Sequence, residues 1–195
     1  MTDPGPVPLL FGFRGIRMLQ LIVAAAATAM AIGGVIMVNS YSNERNPLLL
    51  LLAVVFGLLF IWLFSMAVRL PTSFVAVSAE RIRIRFGGFT DQTFETRQVV
   101  GAELRDWPLW RGLGVRASFG DAVALVAASG TAAELHLRQP IRVWVIPRVW
   151  RVSATRVVLS VRNPKKMVDR FGAPPATPSR TTPAPRKARR KGAAR

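Results

Sequence analysis

Residues 48–68, LLLLLAVVFGLLFIWLFSMAV, run for twenty-one positions without a charge. At ~1.5 Å of helical rise per residue such a stretch spans roughly 30 Å, the thickness of a bilayer core. Its apolar side chains occupy every helical face, whereas a helix of a soluble core keeps a polar side. The pattern therefore predicts a membrane span. Residues 18–38, MLQLIVAAAATAMAIGGVIMV, form a second uncharged stretch, this one built on Ala and Gly. Its basic start and small residues at 24–31 also suit a secretory signal peptide, but the apolar run continues past any such cleavage point to Val38. Ala25, Ala29 and Gly33 recur every four residues on one face. Small side chains there would admit the other span, or, as the lesser alternative, a second copy of the chain. Residues 39–47, NSYSNERNP, are polar and too few for a domain, so they join the spans as an antiparallel hairpin.

After residue 70 the period changes from helical to two. Arg81, Arg83 and Arg85 alternate with Ile82, Ile84 and Phe86, the signature of a half-buried strand. Gly87-Gly88 then offers a hairpin turn. Alternation recurs at 100–105, 113–119, 134–138 and 155–161, while 122–128 is apolar on both faces and suits a central strand. Seven or eight short strands are expected in all. One helix follows: Asn163 stands at an N-cap position, Pro164 at the first helical position, and Gly172 and Pro174 end it. Met167, Val168 and Phe171 lie on one side of it, and Phe171 is expected to pack on the strands.

Charge sets the topology. Arg14 and Arg17 precede the first span, Arg69, Arg81, Arg83 and Arg85 follow the second, and Glu44 and Arg45 cancel in the loop. The positive-inside rule then places both termini in the cytoplasm. The expected organisation is a cytoplasmic leader over 1–17, with Pro4, Pro6, Pro8 and three glycines against regular structure. A two-helix transmembrane hairpin follows over 18–68, a cytoplasmic β domain over 69–171 and a disordered basic tail over 172–195. Lys and Arg number 27 against 10 Asp and Glu, a net charge of +17 that points to acidic partners. Cys is absent and His136 is the sole histidine, which excludes disulfides, thiolate nucleophiles and multi-His metal sites. The Ala, Arg and Val richness suits a high-GC bacterial genome, hence a multi-pass protein of the bacterial plasma (inner) membrane.

Two spans, then about seven antiparallel strands and a terminal helix opening Asn-Pro, resemble the bacterial pleckstrin-homology-like (PH-like) membrane proteins. The stretches that carry the resemblance are VSAERIRIRFGG at 77–88, WPLWRGLGVR at 107–116 and SVRNPKKMVDRF at 160–171. It implies a mainly-β soluble domain, a PH-like barrel closed at one end by the C-terminal helix, and no catalysis. Other small barrels fit the strand count too, and the arginine-rich surface and basic tail depart from the family.

Candidate chemistry is sparse. His136 is expected to face solvent beside Glu134, without a nucleophile motif. The carboxylates are scattered, and the glycine pairs near 87 and 112 lack the strand–loop–helix context of a phosphate loop. No cofactor or metal is implied. Trp107 and Trp110 stand between Arg105 and Arg111, and Trp144 and Trp150 beside Arg142, Arg148 and Arg151. Aromatic rings next to arginines suit a membrane interface, although they also suit a barrel rim or the stacking of nucleic-acid bases. In the tail, Arg186, Lys187, Arg189, Arg190 and Lys191 put five charges within six residues. The candidate anionic-lipid site is these five together with Trp107, Trp110 and Arg111. The function expected is that of a non-catalytic membrane-anchored accessory or adaptor, presenting a basic domain to anionic lipid headgroups, a membrane-protein partner or a second copy. The alternative is a membrane-tethered nucleic-acid or ribosome binder that uses the tail.

Overall fold

The structure is a computed structural model and describes residues 8–117, 121–146 and 150–174. In chain order it holds strand β1 (Leu9–Gly12), helices α1 (Ile16–Glu44) and α2 (Pro47–Arg69), strands β2 (Phe74–Val77), β3 (Arg81–Phe86), β4 (Thr90–Glu95), β5 (Val99–Trp107), β6 (Gly114–Ala117), β7 (Ala122–Val126), β8 (Gly130–Ile146) and β9 (Trp150–Leu159), and helix α3 (Pro164–Phe171).

α1 and α2 are both long and apolar enough to cross a membrane, and almost nothing of either apolar window is buried within the protein. A core helix of a soluble domain would show the reverse. The expected nine-residue loop is shorter than its composition suggests. Residues 39–44 continue α1, which keeps their backbone groups bonded, and the chain reverses at Arg45 (φ 52°), whose N–H donates to Tyr41 O. Asn46 then caps α2 by accepting from the Leu48 N–H at 3.0 Å, with Pro47 at the first helical position. The small-residue face expected to meet the other span is met only in part. Gly33 does lie against the Phe56 ring, but Ala25 and Ala29 are exposed. The contact face instead follows Leu19, Val23, Ala27 and Gly34, because α1 must also turn Leu19 and Val23 toward the β-domain core at its base.

The segment expected to be an exposed leader is part of the sheet. β1 pairs antiparallel with β2, Leu9 opposite Val77 and Gly12 opposite Phe74. Phe11 and Phe13 are buried, and the Phe13 ring meets Phe86 edge-on at 4.8 Å. The prolines that argued against regular structure all precede this strand, and Gly12 and Gly15 only bound the turn into α1. Gly15 has φ +71°, and a Cβ there would stand 2.5 Å from the Ala128 Cβ, so the entry to α1 needs glycine on both counts. The helical hairpin is thus an insertion between two neighbouring strands. At its base Met66, Ala67 and Leu70 are buried and Trp62 meets Phe89 of the β3–β4 turn.

The strands form two sheets, ordered β1-β2-β3-β4 and β5-β8-β9-β7-β6. Ile82, Ile84 and Phe86 point inward and Arg81 and Arg83 outward, as the alternation predicts. They pack against Leu125, Leu135, Val157 and Leu159 of the second sheet. The expected closed barrel of about seven antiparallel strands is not formed. The sheets touch at one corner through a bridge from Phe13 to Val161, while at the other β8 only packs near β4. Nor is every pair antiparallel: β7 and β9 run parallel. β7 is buried along its whole length, so it needs a neighbour on each side, and β9 returns from β8 to supply one. α3 docks through Met167, fully buried, and half-buried Phe171. The Ala102 N–H donates to Gly172 O at 2.8 Å, and Gly101 lets Pro174 close onto β5. Residues 172–174 of the expected tail thus lie along β5, and the rest of it, 175–195, lies outside the described residues.

Because Phe13 is a core residue, Phe13→Ala should destabilise the full chain by about 3–5 kcal/mol. Leu10→Ala, on a side chain 70% exposed, should have little effect. Thermal unfolding of the detergent-solubilised protein reads both; equal melting temperatures for the two variants would mean that β1 is not docked.

A candidate anion-binding pocket on the outer sheet face

The register of the second sheet defines its outer face. Glu103, Glu134, Val158, Ala124 and Arg116 stand in one row across five strands, with His136, Arg156 and Ala122 in the next. Three of these floor positions are small or β-branched, which leaves room above the sheet. Beyond β5 the chain folds back over that space in a single 3-10 turn, Leu109–Arg111. The Trp107 Nε1–H donates to Gly112 O at 3.0 Å, and Trp107 packs with Ala124, Val126, Ala132, Val158 and Leu113 in a small core of its own.

The result is a cavity of about 580 Å³, walled by Arg105, Arg111, Arg116, Arg156, Trp107 and Trp110 over a floor of Ala117, Ala122, Ala124 and Val158. The Arg111 guanidinium lies 5.6 Å from one Trp107 ring and 5.2 Å from Trp110, within cation–π range of both. The four arginines differ in how they are balanced. Glu134, fully buried in the same row as Val158 and Ala124, accepts from Arg105 and has Arg156 Nη1 at 3.7 Å. Arg156 also grips Asp121 through Nη2 at 2.7 Å and Nε at 3.1 Å, while the Thr155 hydroxyl donates to the same carboxylate. The Thr155 hydrogen bond first, and then the Arg156 pair, holds Asp121 below the ordinary carboxylate range. Arg111 and Arg116 have no carboxylate partner among the described residues. Arg116 is aimed by its own Nε–H, which donates to Leu113 O at 3.1 Å. Among the described residues no acid lines the cavity, so its charge suits an anion.

Of the residues singled out from sequence, Trp107, Trp110 and Arg111 are brought together here. Arg105, which flanks the tryptophans in sequence, joins them; Arg116 and Arg156 join as well and were not anticipated, since only the strand register shows that these distant arginines share the face. Trp144 belongs to another place, with the Arg151 guanidinium 3.7 Å above its ring. Trp150 is half-exposed and Arg148 lies outside the described residues, as do Arg186, Lys187, Arg189, Arg190 and Lys191. His136 shares the outer face with Glu134 as expected, but Glu134 is fully buried and His136 half-buried, and His136 Nε2 sits 3.4 Å from Glu103 Oε1. Glu103, Glu134 and His136 could each offer an atom to a metal ion, all within 4.8 Å of one another. Two guanidiniums already face the Glu134 carboxylate, and their repulsion opposes a divalent cation there.

The Trp107 side of the cavity lies toward the helices, and its lining runs from there along the strands to Ala122 and Arg156. Trp107 stands opposite Gly130 in the ladder. Arg14, two residues before α1, donates to Ser129 O at 2.5 Å and reaches Gly130. Beside the cavity mouth Leu109 is 64% and Trp110 79% exposed, both large apolar side chains. No family model matches the chain, and no curated protein or solved structure matches it either.

Glu134→Gln should cost about 2–4 kcal/mol, less than a fully buried pair because Arg105 and Arg156 reach water. Glu103→Gln, on a half-exposed carboxylate, should stay within about 0.5 kcal/mol in the same melting experiment. Asp121 gives a pH signature. Its folded pKa lies below its unfolded value, so its stabilisation is complete above the ordinary carboxylate value and is lost as the pH falls through about 4 and below. Asp121→Asn should therefore flatten the acid side of the stability–pH curve without changing its slope above about pH 6.

Proposed function

We propose that the chain is a non-catalytic accessory or adaptor protein of the bacterial plasma membrane, multi-pass with both termini cytoplasmic. Its basic, PH-like β domain presents the arginine–tryptophan pocket to anionic groups at the membrane face, those of a lipid or of a membrane-protein partner. The observation that carries this reading is the β1–β2 pairing. Both ends of an apolar helical hairpin return to one sheet, so a hairpin that crosses a bilayer leaves the whole β domain on a single side. Arg14, Arg17 and Arg69 stand at that base, and the positive-inside rule assigns it to the cytoplasm. The pocket chemistry supports binding rather than turnover. Arginine and tryptophan hold and stack an anion but neither take up nor release a proton near neutral pH.

Single cysteines test the placement, since the chain has none of its own. One at exposed Ser42, in the last turn of α1, should react with a membrane-impermeant thiol reagent in intact cells. One at exposed Glu80, between β2 and β3, should react only after lysis. Labelling of both positions, or of Glu80 alone, in intact cells would overturn the orientation.

A further inference from the structure

We propose that the outer-face pocket takes the phosphomonoester headgroup of a lipid from the same leaflet on which the domain stands. The charge count selects the class. Two of the four wall arginines are answered by Glu134 and Asp121, and among the described residues no carboxylate answers Arg111 or Arg116. A phosphomonoester carries close to two charges at neutral pH and three acceptor oxygens, whereas a phosphodiester carries one charge. The dianion balances the two free guanidiniums, and Arg105 and Arg156, pre-oriented by their carboxylates, add donors that need no reorganisation. A cavity of about 580 Å³ is far larger than one phosphate group and leaves room for the glycerol or sugar that carries it.

The position selects the lipid source. The 107–111 segment stands at the end of the sheet where Arg14 leads into α1. Leu109 and Trp110 project there without cover, the amphipathic indole being suited to headgroup depth. A soluble ligand would gain nothing from those two exposed side chains, while a lipid would bring the bilayer that buries them. This inference rests on the reading that the domain stands on the membrane, and it commits to one further thing, the headgroup class.

Native mass spectrometry of the full chain in detergent tests it. The reference protein has Arg186, Lys187, Arg189, Arg190 and Lys191 replaced by Gln, so that the tail does not contribute. Offered equal phosphatidic acid and phosphatidylglycerol, it should retain one phosphatidic acid at about tenfold preference. Arg111→Gln combined with Arg116→Gln should lower that retention by roughly tenfold or more, with the melting temperature unchanged. Trp110→Ala, at a largely exposed position, is a second variant that should lower it severalfold whatever the arginine pair does to folding. Equal retention of the two lipids, or retention indifferent to all these replacements, overturns the proposal. Competition by soluble glycerol 3-phosphate at the concentration of the lipid overturns the lipid source. The measurement is made in detergent, so a reversed cysteine-labelling pattern would sink the topology while leaving this result standing on its own.

Discussion

The pairing of β1 with β2 across the helical hairpin is the constraint on which the rest depends. Four residues of sheet close a connection of more than sixty, so the two helices must leave and re-enter the domain side by side. Antiparallel packing of α1 on α2 follows from that closure and in turn holds β1 in place. The base is stiffened by buried side chains from both partners: Phe13 against Phe86, Leu19 beneath α1, and Met66, Ala67 and Leu70 at the end of α2. A domain tethered by one span alone could swing on its linker. This one is held by two helices and a strand, so the orientation of its faces relative to the hairpin is part of the fold.

That fixed orientation gives the outer face of the second sheet its character. Most two-sheet domains solvate their outer faces, yet here Ala132 and Glu134 are fully buried on it. The cover is the 107–113 segment, pinned by the Trp107 indole bond to Gly112. A carboxylate buried under such a cover would be costly alone. Glu134 is retained because Arg105 and Arg156 share it, and the sharing holds both guanidiniums in place at the cavity wall. The buried ion pair thus trades stability for the placement of charge, and the small residues Ala122 and Ala124 keep the space in front of it open.

Much of this could be read from the chain. The uncharged stretches located α2 to within a residue at each end, the Arg-Ile alternation gave β3 its faces, and the doubly apolar 122–128 run marked β7 as central. Asn-Pro and Gly bounded α3, although Asn163 makes no side-chain cap. What escaped is what depends on partners distant in sequence. β1 is four residues beside prolines, and its pairing strand lies more than sixty residues on. The parallel β7–β9 pair and the open sheet edges follow from the path of β9, which local alternation does not encode. In the pocket, the Trp107–Arg111 cluster was visible because it is contiguous. Arg105 flanked that cluster in sequence, whereas Arg116 and Arg156 each looked like an ordinary solvent-facing arginine of its own strand.

Two positive features are present in one chain, and salt separates them physically. Attraction between the five tail charges and an anionic surface is limited by a Debye length of about 8 Å at physiological ionic strength. Arg111 and Arg116 are exposed as well, but they stand beside the tryptophan rings over an apolar floor, where a bound group meets directed hydrogen bonds in addition to charge. Salt therefore weakens attraction that is charge alone, as through the tail, more than a clamp at Arg111 and Arg116 that also donates directed hydrogen bonds. Binding that persists at high salt and discriminates between headgroups of equal position but different charge belongs to the pocket. Binding that follows only the total negative charge of the surface belongs to the tail. A sequence this basic would hide the first behind the second in any experiment done at low salt.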